Sequence, residues 1–149
     1  ELEPVWSPTE SLNIFANFGY QKADSISFVD PVLGPITREL PSTPEWTLRA
    51  GADYTTPVTD AVDLLLGIDV NASDAYFNSV TNDVPVPSYT RLNGFVGVGG
   101  NSGNWSLILQ ARNISDSEDI VSGLYFDGSS NVRTVLPPRE YMLTLRLNY

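Results

Sequence analysis

The chain has 149 residues, of which 42% are hydrophobic and 17% are charged, and its formal net charge at pH 7 is -10. This acidic balance, with only eight scattered Lys and Arg residues, argues against nucleic-acid binding, because neutralising phosphates requires clustered basic side chains. Neither cysteine nor histidine occurs, which excludes disulfides, thiolate metal sites and the commonest general base. No stretch of the sequence is apolar for long enough to form a transmembrane helix.

Alternation of apolar and polar residues predicts an all-β chain, beginning with a short strand through Leu2 and Trp6. Six further strands follow, and each repeats apolar residues at every second position. In chain order these positions are Leu12, Ile14, Ala16, Phe18 and Tyr20; Trp46, Leu48, Ala50, Ala52 and Tyr54; Val62, Leu64, Leu66, Ile68 and Val70; Leu92, Val96 and Val98; Trp105, Leu107, Leu109 and Ala111; and Tyr141, Leu143, Leu145, Leu147 and Tyr149. Strands of roughly ten residues exceed the five or six usual in soluble domains and match the nine to eleven of a tilted membrane strand.

The connections between these strands alternate between two kinds. Tight turns are predicted at 7–10, 57–60 and 100–103, and long connections rich in Pro, Gly, Asn, Ser and Asp at 25–44, 73–87 and 113–138. Outer-membrane barrels have short periplasmic turns on one rim and long extracellular loops on the other. We therefore predict an antiparallel meander of about seven long strands that forms part of a transmembrane β-barrel wall.

The two faces of these strands differ in charge. The charged residues within the strands all occupy the positions between the apolar ones, so they share the polar face, as expected if that face lines the lumen of a barrel. They are Arg49, Asp53, Asp63, Asp69, Arg91, Arg112 and Arg146. A basic side chain facing lipid at the midplane would cost about 2–4 kcal/mol. Four apolar residues share that parity, and we expect them to pack against something inside the barrel: Phe15, Leu65, Phe95 and Ile108. Aromatic residues near strand ends are expected to mark the membrane interfaces: Trp6, Tyr20, Trp46, Tyr54, Tyr89 and Trp105.

The arithmetic of the strands indicates part of a larger barrel. Seven strands in 149 residues take about 21 residues each, so a plugged transporter of 22 strands would need about 470 residues. Bacterial single-chain barrels also close with an even number of strands. Because the chain starts at Glu1, without an initiator Met or a targeting segment, we expect this start to be a cut or processed end.

Several short motifs resemble those of TonB-dependent receptor barrels. In chain order they are Glu1-Leu2-Glu3 with Trp6-Ser7-Pro8-Thr9 before the strand Leu12 to Tyr20; Pro44-Glu45-Trp46-Thr47; Arg112-Asn113-Ile114-Ser115-Asp116; and Pro138-Arg139-Glu140-Tyr141. The last strand also resembles the assembly signal of outer-membrane proteins, with apolar residues from Tyr141 to a terminal aromatic, Tyr149, where the family commonly has Phe. Each motif is weak alone, but their order and spacing span the whole chain.

The resemblance implies that residues 1–149 are the C-terminal part of such a barrel, without its plug domain and most of its strands. It implies active uptake of a scarce nutrient, such as an iron-siderophore, cobalamin or a glycan fragment, across the bacterial outer membrane. TonB would supply energy through the missing N-terminal region, outer-membrane lipid would surround the wall, and the barrel assembly machinery would capture the last strand. Neither a catalytic role nor a cofactor is implied.

Two alternatives remain open from the sequence. A soluble β-sandwich binding module, possibly for carbohydrate, would show the same alternation, with its apolar face buried in a core. An enzyme or calcium site would need the carboxylates of one loop, Asp116, Glu118, Asp119 and Asp127. Their spacing fits no calcium loop, so we interpret them as a solvated acidic loop.

Overall fold

A computed structural model of the protein describes residues 1–32, 34–81, 84–125 and 131–148. None of these ranges contains a helix long and apolar enough to cross a membrane. The strands in chain order are β1 (Val5–Trp6), β2 (Leu12–Tyr20), β3 (Ile26–Asp30), β4 (Gly34–Arg38), β5 (Trp46–Thr59), β6 (Val62–Ser73), β7 (Tyr76–Phe77), β8 (Pro85–Val86), β9 (Tyr89–Gly100), β10 (Trp105–Arg112), β11 (Ile120–Tyr125), β12 (Asn131–Val135) and β13 (Glu140–Leu147).

The predicted seven-stranded meander is confirmed. One antiparallel sheet has the strand order β1-β2-β5-β6-β9-β10-β13, so each long strand pairs with the next long strand of the sequence. The sheet lengthens beyond β1 itself, because Leu2 exchanges backbone hydrogen bonds of 2.9 and 2.8 Å with Phe18. Pro4 separates the two segments, since proline has no N–H to donate, but its carbonyl oxygen still accepts from Ala16 at 3.0 Å.

The turn predicted at 57–60 is wrong at its start. Strand β5 continues through Pro57 to Thr59, so the turn itself is only Asp60 and Ala61. Pro57 lies opposite Asp63, and the register then shifts at a bulge before Thr59. The residue that this bulge leaves unpaired is Val58, so Pro57 stands at the end of the regular ladder, directly before the irregularity.

Each of the three long connections contains a short hairpin. The first holds β3 and β4, the second β7 and β8, and the third β11 and β12. Local pairing satisfies backbone groups in these loops without extending the large sheet. The sequence predicted long loops here, and the structure adds that they carry their own secondary structure.

One face of the large sheet is apolar from edge to edge. A single register row runs through Ile14, Ala52, Ile68, Gly94, Ala111 and Tyr141. Side chains on this face are well exposed, for example Ile68 at 52% and Leu143 at 67%. Among the described residues no second sheet covers this face, because the other sheets are the three loop hairpins. The β-sandwich alternative is therefore wrong, and the fold is a section of barrel wall.

Two of the four apolar residues on the polar face pack against the sheet itself. Phe15 and Phe95 lie over glycines of neighbouring strands. A Cβ atom at Gly51 would stand 2.6 Å from Phe15 Cζ, and one at Gly67 would stand 2.1 Å from Phe95 Cε1. The Arg49 guanidinium carbon is 5.7 Å from the centre of the Phe15 ring. These rings therefore pack against the wall itself, and the glycines leave the space for them.

We expect Gly67→Ala to destabilise the barrel wall, because the added methyl group would overlap the Phe95 ring. Overpacking of this kind costs about 1–3 kcal/mol. The measurement is the temperature at which the protein in its native membrane loses its folded gel mobility. Gly99→Ala is the matched control on the same face, since its nearest atom would be 3.2 Å away. Equal shifts for the two variants would contradict the ring-on-glycine packing.

We also expect Leu109→Arg to impair folding far more than Gln110→Arg. The two residues are adjacent in β10 but point to opposite faces, and Leu109 is 44% exposed on the apolar face. Arginine facing lipid would cost about 2–4 kcal/mol, depending on depth, whereas the polar face tolerates charge. The readout is the amount of folded protein in the outer membrane. Similar losses for both variants would argue against lipid contact at Leu109.

Candidate functional site

The charged residues predicted to face a lumen all lie on the polar face of the sheet. One register row joins Asn17, Arg49, Asn71 and Arg91, and the remaining charges share its parity in their strands. They are Asp53, Asp63, Asp69, Arg112 and Arg146. The structure brings few of these predicted residues together, because no two of them are register partners in neighbouring strands, and the side-chain partners of Arg49, Asp69 and Arg91 are other residues.

Five of the six predicted interface aromatics lie on the apolar face. Tyr20 and Trp46 face each other at the loop end of β2 and β5. Tyr54 lies between Leu12 and Leu66, farther along the same face. Trp6 and Trp105 lie beside tight turns at the opposite rim, where they stand across from Ile14 and Leu147. The register puts Tyr89 on the polar face instead, opposite the buried Ser73.

The last strand presents a row of exposed apolar side chains. Tyr141, Leu143, Leu145 and Leu147 are 67%, 67%, 61% and 64% exposed and pair in register with β10. Tyr149, the final member of the predicted assembly signal, lies outside the described residues. Within the described part of the chain β13 has a neighbour on one side only, so its other edge offers free backbone groups.

A network of polar side chains begins on the polar face of the sheet, toward the end from which the long loops leave. The Asp69 Oδ2 atom accepts hydrogen bonds from the side-chain amides of Asn71 at 2.7 Å and Asn93 at 2.9 Å. The Asn93 side-chain oxygen in turn accepts from the backbone N–H of Asn113 at 3.0 Å. The Asn93 side chain thus connects the Asp69 carboxylate in the sheet to Asn113 at the start of the third loop.

Asn113 is the centre of this network. It is fully buried and has a φ of 50°, a left-handed conformation that asparagine tolerates better than most residues. Its side-chain oxygen accepts from the N–H of Ser117 at 3.0 Å, and its amide nitrogen donates to the Ser117 carbonyl at 2.9 Å. The same nitrogen lies 3.4 Å from the Pro137 carbonyl oxygen. One side chain therefore closes the start of the loop against its end.

An ion pair next to this centre attaches the third loop to the wall. Arg91 Nε donates to Asp119 Oδ2 at 2.7 Å, and a second nitrogen of the same guanidinium donates to the Pro137 carbonyl at 2.6 Å. The side chains of the pair are only 13% and 10% exposed. The Ser117 hydroxyl, 2.7 Å from Asp119 Oδ2, completes the site. A pair so shielded from water interacts more strongly than one on the surface.

Two of the motifs that carried the family resemblance meet in space. Asp116, which ends one motif, accepts from the backbone N–H of Arg139 at 2.9 Å and lies 3.3 Å from its guanidinium. Asp116 has a φ of 56° and donates its own N–H to the Asn113 carbonyl. The motifs thus form a clasp at the entry to the last strand. We call four sets of contacts the loop clasp: Asn113 with Ser117 and Pro137, Ser117 with Asp119, Asp119 with Arg91, and Asp116 with Arg139.

The clasp also changes how the acidic loop is interpreted. Asp119 is shielded in its ion pair and is therefore a structural carboxylate, whereas Asp116 is paired with Arg139 but stays 48% exposed, as expected for a solvated loop. Asp127 lies outside the described residues. No cluster of three or more metal-ligating side chains occurs in the ranges that the structure describes.

The second and third loops pack against each other above the sheet. Tyr76 donates its hydroxyl to the Val121 carbonyl at 2.9 Å, and the Asn78 amide donates to the Gly123 carbonyl at 2.6 Å. Val84 and Val86 are 4% and 0% exposed and form a small core there. Burial, with a smaller contribution from Tyr89, raises the pKa of Tyr76 above its usual value. The two loops therefore form one unit.

Sequence reasoning did not identify the role of Asn113. The sequence does mark this residue, since the motif Arg112-Asn113-Ile114-Ser115-Asp116 resembles one of TonB-dependent receptor barrels. The motif alone could not reveal that its partners are Arg91 and Pro137, because those residues are far away along the chain.

We expect Asn113→Ala to destabilise the clasp, at about 1–3 kcal/mol for each buried polar group left unpaired. Asn113→Gly separates the causes, because glycine accepts the positive φ but removes the side chain. If the side-chain hydrogen bonds of Asn113 hold the loop, both variants should make the 113–138 loop more sensitive to protease than it is in the unaltered protein. Ser115→Ala is the control, since its hydroxyl is exposed and makes only a 3.3 Å contact. Wild-type resistance in Asn113→Gly would assign the role of Asn113 to backbone conformation alone.

Comparison with known proteins agrees with this geometry. The sequence profile of the family described as TonB dependent receptor-like, beta-barrel matches residues 1–114. The crystal structure of the ferric yersiniabactin uptake receptor FyuA from Yersinia pestis superposes with a TM-score of 0.77 at 16% identity, covering 99% of this chain and 22% of that one. No curated protein sequence matches. The family profile spans most of the chain, and the chain belongs to the TonB-dependent receptor β-barrel family.

Proposed function

We propose that this chain is the C-terminal part of the barrel of an outer-membrane receptor that takes up a scarce nutrient with energy delivered through TonB. The observation that carries the proposal is the family match over residues 1–114, joined to a sheet with one predominantly apolar face. The chain spans 22% of the length of FyuA, so plug, TonB contact and most of the barrel belong to the rest of the proposed receptor.

The two faces of the sheet suit two environments. The apolar face, with aromatics near both rims, suits contact with outer-membrane lipid. The polar face carries Arg49, Asp53 and Asp69, which suit contact with a plug domain or with water in the lumen. The free edge of β13 suits capture by the barrel assembly machinery through strand addition.

The outer loops are the proposed place of nutrient recognition. The loop clasp and the joined second and third loops provide a fixed support on the rim opposite the tight turns. Among nutrient classes we favour an iron chelate over cobalamin or a glycan, because FyuA takes up ferric yersiniabactin. We assign the chain no catalytic role, because the matching family and FyuA are both described as receptors.

The test follows the whole receptor in its native cells. An antibody against Glu140–Leu147 is expected to detect an outer-membrane band several times larger than 16.3 kDa that shifts on boiling. Cells that express the receptor are expected to accumulate radiolabelled iron chelates, and loss of TonB should abolish this accumulation. A soluble band near 16.3 kDa without a heat shift would refute the barrel assignment. Uptake that continues without TonB would refute the proposal that TonB delivers the energy.

A further inference from the structure

An arginine in the first loop lacks a partner. Arg38, the last residue of β4, has its Nε atom shielded from solvent and without a hydrogen-bond partner in the described structure. The two ion pairs among the described residues use Arg91 and Arg139, so Arg38 belongs to neither. A buried donor without an acceptor is costly and rare in folded proteins. The Nε atom is itself out of reach of a ligand, so Arg38 can bind one only through the terminal nitrogens of its guanidinium, which also have no partner among the described residues.

The arginine lines a cleft between the first and second loops. This cleft has a volume of about 370 Å³ and is lined by Ser25, Thr37, Arg38, Glu39 and Phe77. The backbone N–H of Ser42 donates to the Phe77 carbonyl at 2.7 Å, which holds the first loop against β7. The Thr37 hydroxyl is already paired with Ser27 at 3.0 Å. Arg38 and Glu39 thus supply the charge of the cleft, and Phe77 supplies an apolar side.

The lining restricts the chemistry of a ligand. A guanidinium offers a planar fork of donors that fits a carboxylate with two parallel hydrogen bonds. Glu39 would repel a simple anion but would accept a hydrogen bond from a hydroxyl or N–H group beside that carboxylate. The carbon skeleton of such a molecule can rest on the Phe77 ring. A ligand group that carries a carboxylate next to a hydrogen-bond donor satisfies all three residues.

We propose that the cleft of Arg38, Glu39 and Phe77 binds an organic carboxylate with an adjacent hydroxyl or N–H group, as the free molecule or as a group on a larger nutrient. This inference deepens the proposed function, because it names the ligand chemistry of the outer loops, and it rests on the outer position of those loops. Arg38 binds the carboxylate, Glu39 selects the neighbouring donor, and Phe77 contacts the carbon chain.

The test measures binding of malate, a hydroxycarboxylate, to the whole receptor in detergent by saturation-transfer NMR. Arg38→Gln is expected to weaken malate binding by about tenfold or more, because a charged hydrogen-bond pair is lost. Arg38→Lys should also weaken it, since lysine keeps the charge but not the fork. Succinate, which lacks the hydroxyl, should bind the unaltered protein about two- to tenfold more weakly than malate. Glu39→Gln should reduce that preference.

Arg133→Gln is the control, because Arg133 is an exposed arginine in another loop hairpin, outside the lining of the cleft. Each variant is first checked for the heat-dependent gel shift of the folded barrel. No malate signal from the unaltered receptor, or equal signals from the Arg38→Gln and Arg133→Gln proteins, would overturn the proposal. Binding in solution needs no TonB. If the unaltered receptor binds no malate but its uptake still depends on TonB, only the proposal about the cleft is refuted. If the receptor binds malate but shows no TonB-dependent uptake, only the transport proposal is refuted.

Discussion

Backbone hydrogen bonding between neighbouring strands is the constraint on which this structure depends. Hydrocarbon offers no partner to an N–H or C=O group, so a strand crosses a membrane only when it is paired along both edges. Strands β2, β5, β6, β9 and β10 have a neighbour on each side, while β1 and β13 have one each in the described sheet. Because side chains alternate, this pairing also fixes which residues face outward, and Leu109 and Gln110 are separated by register alone.

The loop clasp is the second level of organisation. Strand pairing cannot control the third loop, which leaves the sheet at Arg112 and returns at Glu140. Asn113 closes its two ends by side-chain hydrogen bonds, and Arg91 joins the loop to the wall. The first loop is held differently, because Ser42 ties it to β7 by a backbone bond while Arg38 stays unpaired. A supported rim beside an open cleft suits recognition, since rigid support lowers the entropy lost on binding.

Much of the fold was predictable, because strand alternation is a local signal. The parity that put Arg49 and Asp69 on one face and Leu48 and Ile68 on the other needs only the geometry of an extended chain. The turn at 57–60 was misplaced for a local reason as well: proline usually ends a strand, but here Pro57 still lies opposite Asp63 and β5 continues past a bulge at Val58. Tyr89 was assigned to the membrane interface from its position near a strand end, and its parity would have indicated the polar face.

The sequence by itself determined the all-β class, the seven-stranded meander, the two faces of the wall and the resemblance to TonB-dependent receptors. These follow from period-two patterning, turn residues and short motifs, all of which act over a few neighbouring residues. Only the tertiary structure decided that Phe95 lies over Gly67, that Asn113 meets Pro137, and that Arg38 has no partner in its cleft. Each of these depends on residues brought together across strands or loops, and no local pattern specifies which distant side chains will meet.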